Sequence, residues 1–338
     1  MKLEHESVPA PGQARPVCDG IQWLRMPLPF ALDHVNCWLL GEGPDRVLVD
    51  TGVDDDLTKQ YWRTFFDSKD SYPQQLLVTH FHPDHIGLAG WFEQNGCKRF
   101  MGSEIETAIS LGLSVTSDQA YASLYELWYL QNGLPEPAVS TVRRYGNTYN
   151  SRVFRPPASD KWQFITQGQT LTLAGRDYTV LIGRGHAPDM IMLYRSDDRV
   201  LIAADQVLPS ISPNVSVMPR LNDTNPLGSF LDTLAQLEQL PEDTLVLPSH
   251  GVPFRGLRVR IEQLKHHHEL RLSEVLDACV EPITAFELFP TLYKRKLDAQ
   301  QTAFALGEAL SHLHYLEQAG QIQRHEENGV IRFVAISG

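Results

Sequence analysis

Leu76-Leu77-Val78-Thr79-His80-Phe81-His82-Pro83-Asp84-His85 is the stretch on which the fold of this chain turns. The apolar run Leu76–Thr79 has the length and composition of a short buried strand. Past its end, an extended backbone points residues two apart to the same side, so His80 and His82 converge. Pro83 sits where a first helical residue would, and Pro83–Gln94 reads as a helix closed by Asn95-Gly96. Asp84 and His85 then lie in its first turn, pointing in different directions and able to serve a second centre beside the first. The helix N-terminus favours the negative charge of Asp84. Gly87 and Gly90 let the helix pack close to its strand. Three imidazoles and a carboxylate within six residues make a poor core and a good metal site, with donors that suit zinc, iron or manganese.

The 338 residues suffice for one large domain or two ordinary ones. A composition of 42% hydrophobic and 21% charged residues is that of a soluble globular protein. The net charge of −12 speaks against a nucleic-acid binder, since phosphate contact needs a basic face. Cys18, Cys37, Cys97 and Cys279 are scattered without a Cys-x-x-Cys and read as free thiols of a reducing compartment. Met1–Pro16 is polar and proline-rich, with no apolar signal core, and no run is long enough to span a membrane. A cytoplasmic protein is expected.

Outward from the opening stretch, Ile21–Met26, Val35–Leu40 and Arg46–Val49 read as successive antiparallel strands, and residues 57–68 as a helix. Residues 103–132 are helical in pattern and aromatic-rich, and 133–160 are irregular. Strands return at Gln163–Ile165, Thr170–Leu173, Tyr178–Ile182, Met190–Arg195 and Arg199–Ala203. A helix at 227–240 and a strand at Thr244–Leu247 follow. From 257 the character changes. Leu257–Cys279 is one long amphipathic helix, and 284–294 and 301–319 read as two more. Gln321–Gln323 and Val330–Ile336 flank a turn at Asn328-Gly329. Three helices and a hairpin form the pattern of a winged helix. The expected organisation is an arm over 1–19, a catalytic domain over 20–256 with a helical insertion at 103–160, and a C-terminal unit over 257–338.

Four further residues of the same chemistry stand at strand ends: Asp50, His186, Asp205 and His250. Loops at one end of a sheet tend to build sites. His80, His82 and His186 are assigned to one ion, and Asp84, His85 and His250 to a second, with Asp205 bridging them. Each ion keeps an open position, as catalysis requires. A water shared by two dications would be ionised near neutral pH and act as nucleophile, with Asp84 placed to orient it. Asp50 is better placed as a partner for a ligating imidazole than as a ligand.

In this order along the chain, Asp50, His80-x-His82-x-Asp84-His85, His186, Asp205 and His250 resemble the metallo-β-lactamase superfamily over roughly residues 20–255. The resemblance implies an αββα sandwich with a dinuclear site along one edge. It also implies ions that are usually zinc, with iron or manganese in some members. With the C-terminal unit included, the chain looks like the lactamase-like hydrolases, whose relatives include glyoxalase II-type thioesterases and a lactamase-like endoribonuclease. Two stretches depart from the family pattern. His186-Ala187-Pro188-Asp189-Met190 stands where His-Ser/Thr-Pro-Gly-His is common, and Ala204-Asp205 replaces Gly-Asp.

The expected activity is hydrolysis of a thioester, ester or lactone carbonyl in a small or acyl-type substrate. The same metals acting on phosphorus would make an endoribonuclease or phosphodiesterase, a single iron would make a persulfide dioxygenase, and a non-catalytic sensor is a further class. Tyr121, Tyr125, Trp128, Arg143, Arg144 and Tyr145 of the insertion are candidates to shape a substrate pocket, and Gln206–Pro219 is a second candidate wall. His266-His267-His268 reads as a solvated helix face, because consecutive helical residues diverge. His312 and His314 read as packing or surface residues. Residues 281–338 carry five positive against seven negative side chains, and Ala303–Gln318 has no Lys or Arg. Packing, a lid or dimerisation is expected there rather than nucleic-acid contact.

Overall fold

The computed structural model describes residues 1–4, 7–67, 72–144, 146–221 and 223–336. Its architecture follows from strand alternation. Strands β1 (Lys2–Leu3), β2 (Arg15–Cys18), β3 (Ile21–Pro27), β4 (His34–Leu40) and β5 (Val47–Val49) precede helix α1 (Asp56–Asp67) and strand β6 (Gln75–Leu77). Helices α2 (Pro83–Ile86) and α3 (Ala89–Gln94) then lead to β7 (Arg99–Gly102), helices α4 (Glu104–Val115), α5 (Asp118–Gln131) and α6 (Glu136–Arg143), and β8 (Trp162–Phe164). The first sheet runs β2-β3-β4-β5-β6-β7-β8, antiparallel as far as β5 and parallel from β5 to β8.

The second sheet uses β9 (Thr170–Leu173), β10 (Arg176–Gly183), β11 (Met190–Arg195), β12 (Val200–Ala204), β13 (Leu245–Pro248) and β14 (Phe254–Arg255), with α7 (Pro226–Leu237) between β12 and β13. Its order is β1-β14-β13-β12-β11-β10-β9, with β12 and β13 parallel. Helices α8 (Leu257–Ala278), α9 (Phe289–Leu292) and α10 (Ala299–Gln318) and the hairpin β15 (Ile322–Glu327) and β16 (Val330–Ala335) complete the chain.

Alternate residues of each strand face opposite layers. Trp23 and Trp38 meet Leu171, Val180, Leu193 and Leu247 between the sheets. The intervening Leu24, Cys37 and Leu39 face Trp62, Phe66 and Phe92 of α1 and α3. On the far side, Leu201, Ala203 and Val246 pack on Phe230 and Leu234 of α7 and Ile261 of α8. Four layers result, α, β, β and α, as the sequence led us to expect. Among the described residues no helix is long and apolar enough to cross a membrane.

Several elements differ from the sequence reading. The helix expected over Pro83–Gln94 is broken at Gly87-Leu88, because segments distant in the sequence capture its backbone. Thr51 Oγ1 accepts from Leu88 N and donates to the His85 carbonyl, at 2.9 and 2.8 Å. The Gly87 carbonyl accepts from Phe154 N at 2.7 Å. A Cβ on Gly87 would lie 2.2 Å from the Pro83 oxygen and 2.5 Å from the Gly52 oxygen, so only glycine admits this approach. The 103–132 helix is two helices, parted where Ser117 caps α5 and Asn147 Nδ2 donates to the Leu113 and Thr116 carbonyls. Within the irregular 133–160 stretch, α6 forms because Pro135 and Pro137 fall at a helix start, where proline is tolerated. The helix expected at 284–294 shortens to α9.

His268 is a correction of a different kind. It is buried rather than solvated, and lies 3.3 Å from His312 Nε2 and edge-on to Phe230. His266 alone of the three is exposed, since the triplet's three directions include one that points inward.

Candidate metal centre

Parallel neighbours place their C-terminal ends side by side, and the site is built from two such pairs. Asp50 follows β5 beside Thr79 and His80, which follow β6; Asp205 follows β12 beside His250, which follows β13. His186 comes from the loop between β10 and β11. The two sheets are tied together at this edge. Asn36 N donates to the Ser249 carbonyl at 2.6 Å, and Ile191 N to the Thr79 carbonyl at 2.9 Å. Asn36 Nδ2 donates to the Pro248 carbonyl at 2.8 Å.

The proposed ligand atoms meet in two sets, His80, His82, His186 and Asp205 in one and Asp84, His85 and His250 in the other. His80 Nε2 and His82 Nδ1 are 3.0 Å apart. Asp205 stands between the sets. Its Oδ2 is 3.2 Å from His186 Nε2, 3.5 Å from His85 Nε2 and 4.0 Å from His80 Nε2; its Oδ1 is 3.3 Å from His250 Nε2. Asp84 Oδ2 lies 3.5 Å from both His85 Nε2 and His250 Nε2.

The far side of four rings is spoken for. His186 Nδ1 donates to the Asn214 carbonyl at 2.8 Å and His250 Nδ1 to the His34 carbonyl at 2.7 Å. His85 Nδ1 meets Asp50 Oδ2 at 2.8 Å, and His80 Nδ1 meets Thr79 Oγ1 at 3.0 Å. Donation from Nδ1 fixes the tautomer and leaves the Nε2 lone pair facing inward. Among the described residues, His85 Nε2, His186 Nε2 and Asp205 Oδ1 are buried and make no hydrogen bond. Orphaned, convergent, buried nitrogen and oxygen atoms are what a dication needs, so the donor set fits.

Electrostatics divide the rings: against burial, the facing Asp84 and Asp205 carboxylates hold His85 and His250 above their ordinary value, so those two must give up a proton to ligate, whereas His80 and His82 need not. Burial pushes His80 down, and pushes His82 down to about 3, so both are neutral, the form that ligates. Burial alone would raise the Asp84 and Asp205 carboxyls; the facing His85 and His250 rings hold both below the usual carboxylate range.

Asp50 faces His85 Nδ1 through Oδ2, and it also accepts from Thr79 N and Oγ1, both at 2.8 Å. It does so at φ 62°, and Ala204, next to Asp205, at φ 46°. Both are left-handed conformations that cost a non-glycine residue energy and cluster at functional sites. Ala204 thus carries the backbone shape for which the family pattern uses glycine.

Three contributors escaped the sequence reading. Glu106 of α4 is buried, and its carboxylate accepts from Phe81 N at 3.1 Å and Asp189 N at 2.6 Å. It therefore ties the His80–His82 loop to the loop that carries His186. Burial pushes its carboxyl up to about 7 against these two bonds. His34 braces His250 through its carbonyl and accepts from Gly251 N at 2.7 Å through Nε2. Thr79 joins Asp50 to His80. Glu106 and His34 carry no local motif; Thr79 adjoins the His-rich run but has no metal-ligand chemistry to mark it.

The insertion residues are placed differently. Tyr121 and Tyr125 stack at 4.3 Å, and the Arg220 guanidinium lies 5.6 Å from the Tyr121 ring centre. Tyr121, Tyr125 and Arg143 line a small pocket between α5 and α6. Tyr125 and Trp128 pack against the cluster around Leu306 and Leu310 of α10. Arg143 pairs with Glu126 and Glu136, and Arg144 is exposed. Tyr145 lies outside the described residues.

A sequence model of the metallo-beta-lactamase superfamily matches residues 31–250. The chain belongs to the metallo-beta-lactamase superfamily. A second model, for the metallo-beta-lactamase-like C-terminal domain, matches residues 272–336. The superfamily member is 37% identical to a beta-lactamase domain protein of Burkholderia ambifaria, with a TM-score of 0.90, covering 99% of this chain and 98% of that one. A metallo-beta-lactamase family protein of Thermus thermophilus is 30% identical, with a TM-score of 0.80, over 94% of this chain and 99% of that one. The probable metallo-hydrolase YqjP of Bacillus subtilis is 27% identical over 333 residues, 92% of this chain and 96% of its own.

Proposed function

We propose that this superfamily member is a dinuclear metal-dependent hydrolase acting on a thioester, ester or lactone carbonyl. The observation that carries the proposal is Asp205 standing within 3.2–4.0 Å of imidazoles from both ligand sets. His80, His82 and His186 would hold one ion, and Asp84, His85 and His250 the other, with Asp205 between them. Two dications here, most simply zinc, would supply an ionised water at neutral pH and draw charge from the substrate oxygen. Thr79, Asp50, Asn214 and His34 hold the rings so that Nε2 faces inward before any substrate arrives. Asp84 is the partly exposed carboxylate of the set and faces both His85 and His250, the position from which it would orient the nucleophile.

The superfamily membership and the name of the Bacillus subtilis relative support hydrolysis. The net charge of −12 and an α10 without Lys or Arg favour an acyl substrate over a polynucleotide. The test is a panel of thioesters, lactones and phosphodiesters assayed with the metal-loaded protein and with His82→Ala and Asp205→Ala. Acyl-substrate hydrolysis that both variants lose supports the proposal; turnover confined to phosphodiesters, or retained by both variants, contradicts it.

A further inference from the structure

His186 stands outside its strands, following Gly185 (φ 95°) in the β10–β11 loop. What fixes its ring is the Asn214 carbonyl, from the segment after Asp205. That segment leans on the C-terminal elements. Ser216 Oγ donates to Asn214 Oδ1 at 2.6 Å and lies 3.4 Å from the Phe304 carbonyl of α10. Val217 N donates to the Gly307 carbonyl at 3.0 Å. A Cβ on Gly307 would stand 2.8 Å from both Ser216 Cβ and the Val217 oxygen. Glycine inside a helix is unfavourable relative to alanine, and this close approach gives it a reason. α10 is rigid enough to serve as a stop: Asp298 and Gln301 form a reciprocal cap at its start, and Leu306, Leu310 and Leu313 are buried.

We propose that α10 is a positioning element of the metal centre, setting the orientation of His186 through Gly307 and residues 214–217. The C-terminal unit thereby becomes part of the machinery rather than an appendage. The proposal rests on the metal-site reading above.

Gly307→Ala tests it in the full-length protein. The added methyl pushes the 214–217 segment away while improving the helix. Gly112→Ala is the control, since it adds the same methyl inside α4 with nothing within 4 Å. Stepwise Co2+ titration against a competing chelator reads both sites, and thermal unfolding of the metal-free protein reads stability. Gly307→Ala is expected to weaken the site holding His186 by about tenfold or more, the usual effect of disturbing a ligand's support. The other site should change less, without a drop in the metal-free unfolding midpoint, and Gly112→Ala should behave as wild type. Ser216→Ala, which removes the hydroxyl without adding bulk, should shift the same site in the same direction, and it decides the matter should Gly307→Ala fail to fold. Two sites of wild-type affinity in these variants, or parallel loss at both sites with a lowered midpoint, overturn the proposal. A wild-type protein that takes up no Co2+ overturns the metal-site reading itself, and the brace with it.

Discussion

Asp50 and Glu106 do their work without touching a proposed ion. Asp50→Asn keeps the shape and suits the left-handed backbone at φ 62°, but removes the charge facing His85. It is expected to lower affinity at the Asp84–His85–His250 set by about 10- to 100-fold, read by chelator competition; an unchanged affinity would mean that Asp50 is only a turn residue. Glu106→Gln sets an NH2 against one of two backbone N–H groups. It is expected to lower folding stability by about 1–3 kcal/mol in urea titrations. The seven proposed ligands were legible because imidazole and carboxylate at strand ends have few bland uses. Glu106 was not, because its partners are backbone amides 25 and 83 positions away and leave no mark on the sequence. His268 was misread for a related reason: consecutive histidines do point three ways, and periodicity alone did not say that one way led inward.

At the scale of elements, the break between α2 and α3 matters most, since it lets Thr51 hold the His85 carbonyl beneath the site. Gly87→Ala would drive a methyl into two carbonyl oxygens, and is expected to cost about 3 kcal/mol or more in chemical denaturation; a loss below about 0.5 kcal/mol would show that the backbone approach can relax. Strands β3–β5 and β9–β13 could be read because apolar alternation and turn residues mark them directly. The helix break could not, because hydrogen bonds from Thr51 and Phe154, distant in sequence, impose it. α6 was hidden by prolines that look like breakers and sit instead at a helix start. Residues 284–294 have helical composition, yet only Phe289–Leu292 take up the helix.

At the scale of the molecule, the C-terminal elements are joined to the sandwich by a buried contact, His268 of α8 against His312 of α10 and Phe230 of α7. Burial, with the charges of His312, His267 and Arg271, pushes His268 down to about 3 from an ordinary 6.5, and burial, with His267 and Arg271 and against a hydrogen bond to the Glu308 carbonyl, pushes His312 down to about 4. Between those values the unfolded chain binds protons that the folded chain refuses. Their contribution is therefore harmless above about pH 6.5, and stability falls as pH drops through 6.5 toward 4. His268→Leu should lose less thermal stability than wild type between about pH 7.5 and about pH 5; an equal loss would place the acid sensitivity elsewhere. The four-layer arrangement was implied by the family resemblance that the order of histidines and aspartates carries, whereas the packing of α5, α6 and α10 into one cluster depended on contacts too distant in sequence to read. A dinuclear centre is decided by the number of ions bound, so the most direct measurement is metal content per chain in protein purified without chelator. Two divalent ions in the wild type, with His82→Ala losing one and Asp205→Ala weakening both, is the predicted result. A single iron held by His80, His82 and His186, with Asp84, His85 and His250 empty at saturating metal, would contradict it.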